Sequence, residues 1–107
     1  MTTFTLADLE AIITKRAGDD PKVSYTASLI AKGRNKVAEK MGEEAIETVI
    51  AAVSDSKSDL TEEAADLLFH FLVVLRANDI ALDDVLQELA RRTGQSGHAE
   101  KAARPKA

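Results

Sequence analysis

Glu63-Ala-Ala-Asp66-Leu-Leu-Phe-His70-Phe-Leu-Val-Val-Leu-Arg-Ala77 is the stretch that governs the architecture. From Ala64 to Ala77 a helix built on it is apolar on nearly every side, the pattern of a central element enclosed by others. Its polar exceptions are informative for that reason. Glu63, Asp66 and His70 stand at offsets 0, 3 and 7 and share one stripe along an otherwise buried rod. Burying ionised carboxylates without partners costs on the order of several kcal/mol, so a cation or basic groups must compensate them. The longest apolar run, Phe71 to Leu75, is far too short to span a bilayer.

Upstream, three more carboxylates, Glu43, Glu44 and Glu47, fall within five residues. They sit in a segment that reads as one long helix from about Asn35 to Ser54. On a wheel of about 100° per residue, Ala38, Ala45, Ile46, Val49, Ile50, Ala52 and Val53 form one broad arc, which is expected to pack. Glu43 and Glu47 lie beside that arc with Lys36 and Lys40 interleaved, and Glu44 lies further round. Two helices thus each bring carboxylates three residues apart, and the expectation is that the pairs face one another and hold a divalent cation. The competing reading of Glu43, Glu44 and Glu47 is an ordinary solvated face. For Glu63 and Asp66 it is the favourable position of acids near a helix N-terminus. Neither accounts for His70, which reads as a hydrogen-bonded core histidine adjoining the acids. Lys32, Arg34, Lys36 and Lys40 precede the acids. They form either a basic face paired with neighbouring glutamates or a set of phosphate contacts, and spacing leaves this open.

The chain has 107 residues, enough for one domain that buries roughly two thirds of its unfolded surface. With 45% hydrophobic and 30% charged residues, one Tyr, no Trp and no alternating β-branched runs, the composition favours helices over strands. A net charge of −4 argues against a domain that grips nucleic acid through an overall positive field. There is no cysteine, so disulfides and thiolate metal sites are excluded, and any metal must be held by Asp, Glu or His. Oxygen-ligated Mg²⁺ or Mn²⁺ is then the natural candidate. The spacings are Glu-x-x-Glu and Glu-x-x-Asp, which departs from the Glu-x-x-His of di-iron bundles. All-oxygen ligation points to phosphate chemistry.

The flanking segments complete a bundle. Thr5 and Asp8 have the spacing of a loose capping box before Leu6, Leu9, Ile12 and Ile13, which share one side of a helix ending near Arg16. Ala17-Gly-Asp-Asp-Pro21 is a turn. Ser24 caps a short helix through Ala31, broken by Gly33. Asp59 and Glu62 have capping-box spacing at the start of the central helix, after a polar link over 54–58. Asn78-Asp79 ends that helix, and a last one runs from about Leu82 to Arg92 with Val85, Leu86 and Leu89 inward and Gly94 as a C-terminal cap. Residues 95–107 read as a flexible tail or as a segment that orders on substrate or on a partner subunit. Met1 to Leu9 has neither the basic start nor the apolar run of a secretory signal, so the expected location is cytoplasmic. The fold expected is all-α, a four- to five-helix bundle in a single domain.

Glu43-Glu44-x-x-Glu47 followed by Glu63-x-x-Asp66 resembles the signature of the MazG-like all-α nucleotide pyrophosphohydrolases. Within them, Ser24-Tyr-Thr-Ala27, Lys40-Met-Gly-Glu-Glu-Ala45, Glu63-Ala-Ala-Asp-Leu-Leu-Phe-His70 and Ser96-Gly-His-Ala-Glu-Lys101 are similar to the phosphoribosyl-ATP pyrophosphohydrolase family, from about Leu6 to Arg104. The resemblance implies hydrolysis of 1-(5-phosphoribosyl)-ATP to 1-(5-phosphoribosyl)-AMP and pyrophosphate, the second step of histidine biosynthesis. It implies Glu44, Glu47, Glu63 and Asp66 as Mg²⁺ ligands, with Glu43 a further ligand or the base that orients the attacking water. Arg34, Lys36 and Lys40 are the residues then expected to contact phosphates. A homodimer or larger assembly, with helices packing across subunits, is also implied. Two other functions compete with this one: a housecleaning pyrophosphohydrolase of ordinary nucleoside triphosphates, and a non-enzymatic helical dimerisation module whose acids are surface charges.

Overall fold

The computed structural model describes residues 1–94 and 97–105. It contains α1 (Leu6–Ala17), α2 (Tyr25–Ala31), α3 (Arg34–Ala52), α4 (Lys57–Ala77), α5 (Leu82–Thr93) and α6 (Gly97–Ala103), with no strand among the described residues. The all-α expectation holds, with six helices in place of four or five. The additional one, α6, lies within the segment read as a tail, and that reading at residues 95, 96, 106 and 107 lies outside the described residues.

Local chemistry explains most boundaries. Thr5 and Asp8 form a reciprocal capping box, the Thr5 hydroxyl accepting from the Asp8 amide at 3.1 Å and the Asp8 carboxylate from the Thr5 amide at 3.0 Å. The Ser24 hydroxyl accepts from the Ala27 amide at 3.1 Å and donates to the Arg16 carbonyl at 2.9 Å, which ties the start of α2 to the end of α1. Gly33 separates α2 from α3 at φ +100° with open space around its α-carbon, so the turn needs glycine for backbone reasons alone. At α4 the cap differs from the sequence expectation. Ser56, whose hydroxyl accepts from the Asp59 amide at 3.2 Å, is the N-cap, and Asp59 stands inside the first turn, where its charge favours the helix dipole.

α3 and α4 form an antiparallel hairpin, in which Thr48 faces Glu63 while Val37 shares a core with Leu72 and Val73. That core is completed by Ile13, Leu29, Leu75 and Leu82, so α4 is the central rod and α1, α2 and α5 cover its C-terminal half. The N-terminus of α5 has no side-chain cap of its own. Glu10, from α1, accepts from the Leu82 amide at 2.7 Å and satisfies it across 72 residues of sequence.

The arc on α3 that periodicity assigns to packing is not buried within the chain. Val37 and Ala51 are the buried residues of α3, whereas Ile46, Val49, Ile50 and Val53 are 61, 60, 63 and 84% exposed. Periodicity identifies an apolar stripe but not what covers it, and α4 packs on the opposite side of the helix. On α5, Val85 is half-buried as expected, but Leu86 and Leu89 remain exposed, and Leu82, at the start of the helix, is the residue that enters the core.

Candidate active site

The face that α3 turns toward α4 runs through Val37, Glu44, Thr48 and Ala51, at helical spacing. The N-terminal half of α4 answers it with Glu63 and Asp66. Because the hairpin is antiparallel, these acids meet: ligand oxygens of Glu44, Glu63 and Asp66 all lie within 4.8 Å of one another. Thr48 fixes the register. Its hydroxyl donates to the Glu44 carbonyl at 2.8 Å and lies 3.2 Å from the Glu63 carbonyl, joining the two helices at the turns that carry the acids.

The electrostatics of the cluster are dominated by crowded negative charge. One carboxylate oxygen of Glu44 and one of Glu63 are buried without a hydrogen-bond partner, an arrangement that native structures avoid unless something else supplies positive charge. Desolvation, the adjacent Glu47 carboxylate and Asp66 raise the pKa of Glu44 above the ordinary carboxylate range. Desolvation first, then Glu47 and Asp66, raises that of Glu63. Glu47 therefore lies against both, although the tight cluster consists of Glu44, Glu63 and Asp66. The donor set is entirely hard oxygen, which fits Mg²⁺ or Mn²⁺.

The other expected residues are distributed differently. Glu43 turns to Lys40, with which it forms a 2.9 Å ion pair, so its pKa is lowered and that of Lys40 raised. Lys36 pairs with Glu39 at 3.3 Å. Arg34 begins α3 and lines an open cleft with Lys32, Gly33, Asn35 and Ala77; at about 1.5 Å of rise per residue it starts some two to three turns from the acids. The structure thus gathers Glu44, Glu47, Glu63 and Asp66, sets Glu43, Lys40 and Lys36 along a ridge outside them, and places Arg34 apart, well round the helix from that ridge.

His70 is buried, as expected of a core histidine, and joins the site to α2. Its Nδ1 lies 2.8 Å from the Asp66 carbonyl, which can only accept, so Nδ1 carries the proton in the neutral ring. Nε2 is then the acceptor for the Tyr25 hydroxyl at 3.0 Å. Tyr25 also stacks on Phe69, with ring centroids 6.1 Å apart. Sequence reasoning named Tyr25 only within the Ser24-Tyr-Thr-Ala27 segment, with no role, and did not single out Thr48. The available signals were that Tyr25 is the only tyrosine and that Thr48 follows Glu44 by one turn.

The family model described as phosphoribosyl-ATP pyrophosphohydrolase matches residues 6–93. The chain is 57% identical over 105 residues to a phosphoribosyl-ATP pyrophosphatase of Agrobacterium fabrum, covering 98% of each chain. It is 62% identical over 101 residues to that of Ruegeria pomeroyi, covering 94% of this chain and 96% of the relative. A Methylobacterium radiotolerans protein of the same name is 57% identical over 104 residues, covering 97% of each.

Proposed function

Because the chain belongs to the phosphoribosyl-ATP pyrophosphohydrolase family, we propose that its acid cluster is the catalytic centre for Mg²⁺-dependent hydrolysis of 1-(5-phosphoribosyl)-ATP to 1-(5-phosphoribosyl)-AMP and pyrophosphate, a step of histidine biosynthesis. The observation that carries the reading is the convergence of Glu44, Glu63 and Asp66 within 4.8 Å, with two buried oxygens left unpaired. Glu44, Glu47, Glu63 and Asp66 would hold the cation. When bound, Mg²⁺ neutralises phosphate charge and activates water. Packing and the Thr48 bridge hold the acids in place before substrate arrives, so little reorganisation is required. Glu43 lies next to the ligands yet outside the cluster, with its carboxylate kept ionised by Lys40. As an ionised carboxylate it can orient the attacking water by accepting a hydrogen bond from it, while the ion pair with Lys40 makes it a weak base. Lys40 and Lys36 continue the ridge toward the N-terminus of α3, Arg34 stands on another side of that helix's first turn, and the three supply positive charge for the phosphates of a long substrate.

The assembly proposed is a homodimer or larger oligomer. The exposed stripe Ile46, Val49, Ile50 and Val53 supports it, as does the accessible surface of 7826 Å², well above the roughly 5800 Å² of a compact monomer of this mass. No described helix is long and apolar enough to cross a membrane, and a reaction on a water-soluble nucleotide suits the cytoplasm.

The deciding experiment is pyrophosphate release from phosphoribosyl-ATP with and without Mg²⁺, with ATP and dUTP as competing substrates. Metal-dependent turnover confined to phosphoribosyl-ATP is expected. Equal turnover of ATP or dUTP would replace the reading with a broad housecleaning activity, and no turnover would leave a helical dimerisation module.

A further inference from the structure

The acid cluster accounts for the phosphates but not for the base, and a cleft among the described residues has the chemistry a base requires. Between the α1–α2 turn and α4 lies a cavity of about 340 Å³ lined by Arg16, Asp19, Val23, Ser24, Tyr25, Thr26 and Phe69, within the size range of small-molecule sites. Tyr25 is its fixed wall. Phe69 covers one side of the ring, the hydroxyl is held at 3.0 Å by His70, and the residue is nonetheless 53% exposed, so an aromatic face is presented to solvent in a locked orientation. Its hydroxyl end reaches His70, which is bonded to the Asp66 carbonyl at 2.8 Å. Tyr25 and His70 together therefore link the cleft to the backbone of the turn that carries Asp66.

We infer that this cleft is the subsite for the N1-substituted adenine of the substrate, with the Tyr25 ring as stacking platform and the Asp19 carboxylate as the counter-charge. The inference rests on the phosphoribosyl-ATP reading. Substitution at N1 makes the N1–C6–N6 amidine of adenine basic enough to be protonated, and so cationic, near neutral pH. A cationic ring is attracted to an aromatic face and to a carboxylate, whereas unsubstituted adenine is neutral and gains only the stacking. The cleft thus favours the alkylated base over that of ATP. Arg16, at the same cleft, supplies the opposite charge for the phosphate carried on the N1 substituent.

Tyr25 is the only tyrosine and the chain has no tryptophan, so the emission of the unmodified protein reports this site alone. Titration with 1-methyladenosine is expected to quench it saturably, with adenosine binding roughly fivefold or more weakly and ribose 5-phosphate leaving it unchanged. Asp19→Asn is expected to abolish the preference for the methylated nucleoside. In steady-state hydrolysis of phosphoribosyl-ATP, Tyr25→Leu should raise KM roughly tenfold and change kcat far less, and Tyr25→Phe, which keeps the ring, should raise KM less. The absence of saturable quenching, equal affinity for both nucleosides, or a Tyr25→Leu defect confined to kcat would each overturn the subsite. If Tyr25→Leu does not fold, as judged by circular dichroism, the titrations of the unsubstituted protein decide. Hydrolysis without quenching overturns the subsite and leaves the reaction standing, and quenching without hydrolysis does the reverse.

Discussion

Glu44 and Glu63 are acids held in a place that disfavours their charge, and their contribution to stability depends on pH in a direction that can be stated. Both have folded pKa values raised above the reference 4.5, mainly by desolvation and then by Glu47. A carboxyl of this kind binds more protons folded than unfolded. The stability it contributes is fully present below the unfolded pKa and is lost as pH rises through the folded one. Metal-free protein is therefore expected to lose thermal stability as pH climbs above 4.5 through that window, and Mg²⁺ to restore it; thermal melts in EDTA and in excess Mg²⁺ at several pH values check both. Glu43 and Glu88 have the opposite sign, since Lys40 lowers the first and Arg91 with Arg92 brings the second to about 2, so their contributions disappear only as pH falls below 4.5. Glu47→Gln and Asp66→Asn each remove one negative charge from a crowded site. Metal-dependent turnover should fall by roughly 100-fold or more, while the melting temperature in EDTA should not fall, because repulsion is relieved. A parallel loss of stability and activity would make these acids structural.

Among the elements, the α3–α4 hairpin sets the geometry of the site, and Thr48 is its smallest critical part. Thr48→Val keeps the shape and removes the hydroxyl that bridges the Glu44 and Glu63 turns. The expected loss is about 0.5–1.5 kcal/mol in urea unfolding, accompanied by weaker Mn²⁺ binding measured by electron paramagnetic resonance. Unchanged Mn²⁺ affinity would mean that the acids keep their register without it. The α2–α3 turn carries a different constraint. Gly33 has φ +100° and nothing within 4 Å of where a Cβ would stand, so Gly33→Ala introduces backbone strain without a clash. A loss of about 1–3 kcal/mol is expected for that extended, positive-φ conformation, read as a shift of the urea midpoint at constant m-value.

At the scale of the whole molecule, the single chain is less compact than its length allows. Its radius of gyration is 16.0 Å, against about 13 Å for a compact domain of this size. The apolar stripe of α3 lies on the side of that helix away from α4, and the acidic ridge of Glu43 and Glu47 lies between stripe and seam. A second copy covering the stripe would therefore abut the site. Ile46→Glu combined with Ile50→Glu should convert the proposed dimer to an 11.5 kDa monomer in sedimentation equilibrium and reduce turnover. A double variant that sediments unchanged would exclude this face as the interface.

The amino-acid sequence by itself determined helices α1 to α5, most of their ends and which acids are spaced to share a face, because these depend on neighbours within one or two turns. The Thr5–Asp8 box, Ser24, Gly33 and the Glu63, Asp66, His70 stripe are all local patterns. Tertiary structure decided which face of each helix is covered and which side chains meet. The α3 arc was legible as apolar yet is exposed within the chain, because a periodic pattern records that a face must be covered and not by which element. Glu43 carried the same motif as Glu44, but one residue is a rotation of about 100°, which turns Glu44 into the seam and Glu43 to Lys40 on the surface. Glu10 capping α5 across 72 residues and Tyr25 reaching His70 across 45 had no local signature, since contacts of that separation exist only once the chain has folded.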